Sequence, residues 1–171
     1  MKRRNIISLS ALAASGLALL PGNAVSQQQS LKDQLVGTWT LVSSAQTAKA
    51  GVKSDRWGQN PRGRAVFEDN GRYSFMIFRS DIPKFAVNNL TQGTAEENKA
   101  AIQGMTANYG TWSVDETTKT IITNVEAASF PNLIGGGQKR IISSLTADEL
   151  KYTNATSLID TIDEAVWKRT Q

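Results

Sequence analysis

The chain has 171 residues, with 19 Lys and Arg against 15 Asp and Glu and with neither cysteine nor histidine. One domain is the expectation at this length. Disulfides, thiol catalysis and Ser–His catalysis are excluded, and the commonest metal ligand and general base is missing. Three of the cations, Lys2, Arg3 and Arg4, open the chain, and the remainder stands at 16 against 15. A nucleic-acid surface needs a cationic excess on the folded domain, so no nucleic-acid partner is expected. Nothing in the composition points to a metal or a cofactor.

Residues 1–26 read as a signal peptide. The cationic start is followed by an apolar run from Ile6 to Leu20, a break at Pro21 and Gly22, and Ala24-Val25-Ser26 as a small-x-small cleavage site. The run is shorter than the ~20 apolar residues of a spanning helix. The expectation is cleavage after Ser26 and an exported product, periplasmic or secreted, with no stable membrane span. The general and twin-arginine export routes both fit "RRNII". Residues 27–34 read as a polar spacer, and 35–170 as the folded domain.

That domain reads as short β segments. The first covers 37–46, with Trp39 and Leu41 on one face. The second covers 63–68 and leads into "EDNGR", whose Asn70-Gly71 is a strong hairpin signal. The third, 72–79, is apolar on both faces and is expected to be covered on two sides. "TAEENKAAIQGM" then predicts one short helix, with Thr94 as N-cap and Glu97 completing a capping box. Strands resume over 109–114, 120–126, 139–145, 149–154 and 162–169. Short strands at near-even spacing mean a sandwich or a closed barrel. Eight of them suit an antiparallel up-and-down barrel whose interior holds one small ligand.

Several stretches together resemble the bacterial lipocalin-like domain family. In chain order these are Gly37-x-Trp39, "GQNPRG", "DNGRYS", "YGTWSVDE", "VEAASFPNLIG", "QKR" and the terminal "VWKR". The resemblance covers 35–169 and implies a small calycin-like barrel without a defined activity. It further implies that Gly37 allows close backbone approach at the closed end, that Trp39 plugs the floor, and that a last-strand cation lies over the indole. Arg169 is the first candidate and Lys168 the second. Relatives often carry histidine beside the Val-Glu pair; this chain has Thr123 and Asn124 there, so no role of that histidine carries over.

The polar candidates for a site are Glu126 and Arg140. Pairing the two strands about Leu133 sets them face to face, either inside the barrel against a ligand or as a plain ion pair at the surface. The apolar candidates are Tyr73, Phe75, Ile77, Trp112 and Phe130, with Asn132 at the mouth. Trp57 either lines the mouth or covers an edge. Three functions remain open at this point. The first is a barrel binding a small apolar or amphipathic molecule. The second is a cyclase-, isomerase- or hydratase-type enzyme using Glu126 or a tyrosine, and the third is a partner-binding module with a filled barrel. The fold alone hosts all three. A cavity of several hundred cubic ångströms would favour the first.

Overall fold

Side chains that alternate along each strand must send one set inward, and here the inward set is large enough to close a barrel. The computed structural model describes residues 29–48, 50–154 and 161–170. The expected signal peptide lies outside them. The elements in chain order are α1 (Leu31–Leu35), β1 (Gly37–Ala48), β2 (Lys53–Ser54), β3 (Arg62–Phe67), β4 (Arg72–Phe78), α2 (Ala95–Gln103), β5 (Met105–Asp115), β6 (Thr120–Ala128), a 3-10 turn (Pro131–Leu133), β7 (Gly137–Leu145), β8 (Glu149–Asn154) and β9 (Thr161–Arg169). Neighbouring strands pair antiparallel in the order β1-β3-β4-β5-β6-β7-β8-β9, and β9 pairs back onto β1. The eight expected strands and the inserted helix are all present. The two-residue β2 extends the sheet beyond the open end of β1.

Two features depart from the sequence reading. The end of the presumed spacer is not a spacer: Ser30 caps α1 by accepting from Asp33 N, and the helix buries Leu35. The outer face of β4 is half-buried rather than covered, with Ser74, Met76 and Phe78 of intermediate exposure. The inner face carries the core, with Tyr73 and Ile77 buried.

The two ends of the barrel are unlike. Tight turns close one end. Gly71, at φ +84°, turns β3 into β4, and Glu68 N donates to Arg72 O at 2.9 Å. Asp115 Oδ1 accepts from Thr117 N and Thr118 N to turn β5 into β6. α1 packs under this end. Long connections rim the other end: the segment carrying Trp57, the segment carrying α2, and the β6–β7 loop. α2 has the capping box expected for it, with Glu97 N donating to Thr94 Oγ1 at 3.1 Å and Thr94 N donating back to Glu97 Oε2 at 2.8 Å. The other Glu97 oxygen accepts from Ala86 N at 2.7 Å, which ties the preceding loop to the helix start.

Candidate ligand site

The closed end shows why a strand opens with Gly-x-Trp. Trp39 is fully buried, and its Nε1 donates to Leu35 O at 2.8 Å. The Arg169 guanidinium lies 4.2 Å from the indole centre, paired across the sheet at the Trp39–Arg169 register. It also donates to Val36 O at 2.8 Å, to Gln34 O and to Ala147 O. One cation thereby satisfies carbonyls at the end of α1 and in the β8 turn. Gly37 sits at φ +130°, and a Cβ there would lie 2.8 Å from Arg169 Nη1. Only glycine meets both conditions without strain. Trp112 belongs to this floor as well. It packs on Phe67 with ring centres 4.9 Å apart, and its Nε1 donates to Glu68 O at 2.9 Å.

At the open end the lumen narrows to a cavity of about 90 Å³. Its walls come from Phe75, Ile77, Asn108, Gln138, Arg140, Tyr152 and Asp163, and Trp57 lies at its mouth. Trp57 is only 4% exposed. Its loop is strapped down by Ser80 Oγ donating to Gln59 O at 2.7 Å and Arg79 Nη1 donating to Arg56 O at 3.3 Å. Arg79 is itself held by a two-pronged contact with Asp81.

Arg140 dominates this cavity. It is 5% exposed. Its Nη1 donates to Thr123 Oγ1 at 3.2 Å and its Nη2 to Gln138 Oε1 at 2.7 Å. The guanidinium lies 5.0 Å from the Phe75 ring centre and 5.8 Å from that of Tyr152. Both distances are within cation–π range. Among the described residues no carboxylate lies within ion-pair distance of it. Burying a charge is costly without compensation, and here two neutral oxygens and two aromatic faces provide it. Tyr73, next to this group, donates to Asn108 Oδ1 at 2.8 Å. Burial pushes its phenol above the usual range, against the opposing Thr123 hydrogen bond and Arg140 charge. Burial pushes Tyr152 up in the same way, again against Arg140. Both phenols are therefore protonated donors at neutral pH. Asp163 lines the same cavity, where its charge acts on Tyr152, and it accepts from Thr161 Oγ1 at 2.6 Å.

The mouth opens onto a second space. A groove of about 500 Å³ runs between α2 and the β6–β7 loop, lined by Ile102, Gln103, Met105, Ser129, Phe130 and Asn132 together with Arg56 and Thr106. Arg56 and Thr106 also line the lumen cavity, so the two spaces adjoin.

The sequence-derived site residues distribute as follows. Phe75, Ile77 and Arg140 face the lumen cavity. Phe130 and Asn132 lie in the mouth groove rather than the lumen. Tyr73 is in the core below the cavity, and Trp112 is on the floor, away from it. The expected Glu126–Arg140 pair is not made. Arg140 pairs in register with Ile121, and β6 and β7 run about the Phe130–Pro131 bond rather than Leu133. That shift is odd, and an odd shift exchanges faces. Glu126 consequently points outward, where both carboxylate oxygens meet Arg72 at 2.7 and 2.9 Å. Sequence reasoning missed Asn108, Gln138 and Tyr152. Correctly registered neighbours would have found all three: Asn108 pairs with Phe75, Gln138 alternates with Arg140, and Tyr152 pairs with Ile142 two residues on.

A closed eight-stranded up-and-down barrel, plugged at one end and open to a small polar cavity at the other, is the architecture of lipocalin-like proteins. Residues 36–170 match the lipocalin-like domain family, and the chain belongs to it. No curated relative matches the sequence. Solved structures with a similar outline include a lipocalin-like protein from Bacteroides uniformis (12% identity, 80% of this chain and 99% of that one, TM-score 0.42). A designed fluorescence-activating β-barrel is similar at 10% identity, covering 84% of this chain and 100% of that one, with TM-score 0.43. Bovine odorant-binding protein, solved with a selenium-containing odorant, is similar at 15% identity, 84% and 74% coverage and TM-score 0.42. At these identities and scores they carry no functional information for this chain. No helix among the described residues is long and apolar enough to cross a membrane.

Proposed function

We propose that this domain is an exported binding protein for a small amphipathic molecule, and that Arg140 receives the molecule's polar head inside the barrel. The observation that carries the reading is the Arg140 guanidinium itself. It is desolvated, held by neutral partners, and borders a cavity reached from the mouth. A fixed cation at low local dielectric favours a carboxylate or carbonyl oxygen over water. The surrounding donors add direction, since Arg presents a planar fork of N–H groups. Export rests on residues 1–26 alone. N-terminal sequencing of the product should give Gln27 as first residue; a membrane-retained product beginning at Met1 would contradict export.

The size of the lumen cavity favours a second reading, a partner-binding module with a filled barrel, because about 90 Å³ falls below the several hundred of a drug-sized pocket. Calorimetric titration separates the two. The binding reading expects octanoate to bind wild type more tightly than octanol does, and Arg140→Met to remove that preference. Indifference of wild type to both compounds supports the filled barrel. An enzyme using Glu126 is not supported by the geometry, since Glu126 is on the outer face. An acid/base role would fall to Tyr73 or Tyr152, both held protonated.

A further inference from the structure

The lumen cavity and the mouth groove adjoin but differ in size and chemistry, and neither makes a complete site. The cavity holds the Arg140 cation, the amides of Asn108 and Gln138, the Tyr152 phenol and the Asp163 carboxylate, but its roughly 90 Å³ equals the liquid volume of about three waters. It fits a head group and little else. The groove has about 500 Å³, within the roughly 300–1,000 Å³ of small-molecule pockets. It is lined by Ile102, Met105 and Phe130, and two of these are unusually open to solvent for apolar residues: Ile102 is 56% exposed and Phe130 46%. Arg56 and Thr106 stand at the junction and border both spaces. Arg56 also puts a second cation on the path between them.

We infer that the two spaces form one bipartite site for a carboxylic acid with an extended apolar body, its carboxylate on Arg140 and its hydrocarbon along Ile102, Met105 and Phe130. This rests on the binding reading above and adds the ligand class and the site of its body. The apolar part is too large for the lumen, so it leaves through the mouth. The groove, which shares Arg56 and Thr106 with the lumen cavity, offers it apolar surface there. Arg140 in the lumen and Arg56 at the threshold stand against the one carboxylate of the lining, Asp163, and this cationic excess favours the acid over the alcohol or hydrocarbon of the same length.

A chain-length series tests it. Acetate, butanoate, hexanoate, octanoate and decanoate, with the matching alcohols, are titrated into wild type, Arg140→Met and the double variant Ile102→Gln, Phe130→Gln. Both groove positions are largely exposed, so the double variant keeps its fold; a thermal melt checks this. In wild type, affinity for the acids should rise beyond the length the lumen holds, by up to about fourfold per methylene, the equivalent of ~0.8 kcal/mol per buried CH₂. The double variant should bind the shortest acids as wild type does and lose most of that rise. Arg140→Met should keep the rise with length and lose the preference for acid over alcohol. Two results overturn the inference. If wild type prefers acids but gains nothing with length, or the double variant gains as wild type does, the groove is not part of the site and the Arg140 reading stands. If no acid or alcohol binds at any length, both fail together.

Discussion

Arg169 and Arg140 are both arginines on inward-looking strands, yet their neighbours give them different work. Arg169 is spent on the fold: three carbonyls and the Trp39 face use its donors. Removing the indole should therefore cost most. Trp39→Ala is expected to lose ~3–5 kcal/mol in denaturant unfolding, as large buried aromatics do, and Arg169→Ala less. Because the two are in contact, the double mutant should lose less than the sum; additive losses would contradict a coupled plug. Gly37→Ala should also destabilise, since its φ of +130° and the nearby Arg169 Nη1 leave no room for a methyl. Arg140, by contrast, donates only to neutral oxygens among the described residues. Glu126→Gln, which disturbs an exposed outer pair with Arg72, should leave octanoate affinity unchanged, whereas Arg140→Met should not. Equal effects of the two would place the anion site elsewhere.

The start of α2 at the open end depends on one acidic side chain. Glu97 accepts backbone N–H groups from Thr94 and Ala86, and these bonds hold its carboxyl below the usual carboxylate range. A folded-state pKa lower than the unfolded one stabilises at pH above the unfolded value, and that stabilisation is lost as pH falls through the folded pKa. Acidification should therefore release the start of α2 and the loop before it. The protection factors of the Ala86 and Thr94 amides, measured against the intrinsic exchange rate at each pH, should fall as the medium is acidified, while core strand amides such as Ile121 stay protected. Glu97→Gln should make the two amides exchange fast at neutral pH already. Simultaneous loss of protection across the barrel would argue against a separately held α2. Asp115, lowered chiefly by its hydrogen bonds to Thr118, closes the opposite end through the same chemistry and shares the sign.

At the scale of the molecule, strand count, helix position and plug were legible because each rests on local chemistry: alternation, a capping box, an Asn-Gly turn, a glycine two residues before a tryptophan. The site was only half legible. Phe75, Ile77 and Arg140 follow from alternation within their own strands. Glu126 does not, because its placement depends on register across a loop containing a 3-10 turn and Gly135 at φ +76°. A bulge opposite Tyr109–Gly110 adds to this. The mouth groove depends on how α2 lies against β5 and the β6–β7 loop, which no local pattern encodes. The central claim remains the polar head on Arg140, and the most direct test reads that group itself. The Arg140 guanidinium ¹⁵N–¹H signals, assigned by their absence in Arg140→Met, should shift saturably as octanoate is added to wild type, with the midpoint of the calorimetric titration. Saturable octanoate binding that leaves those signals unmoved would contradict the account.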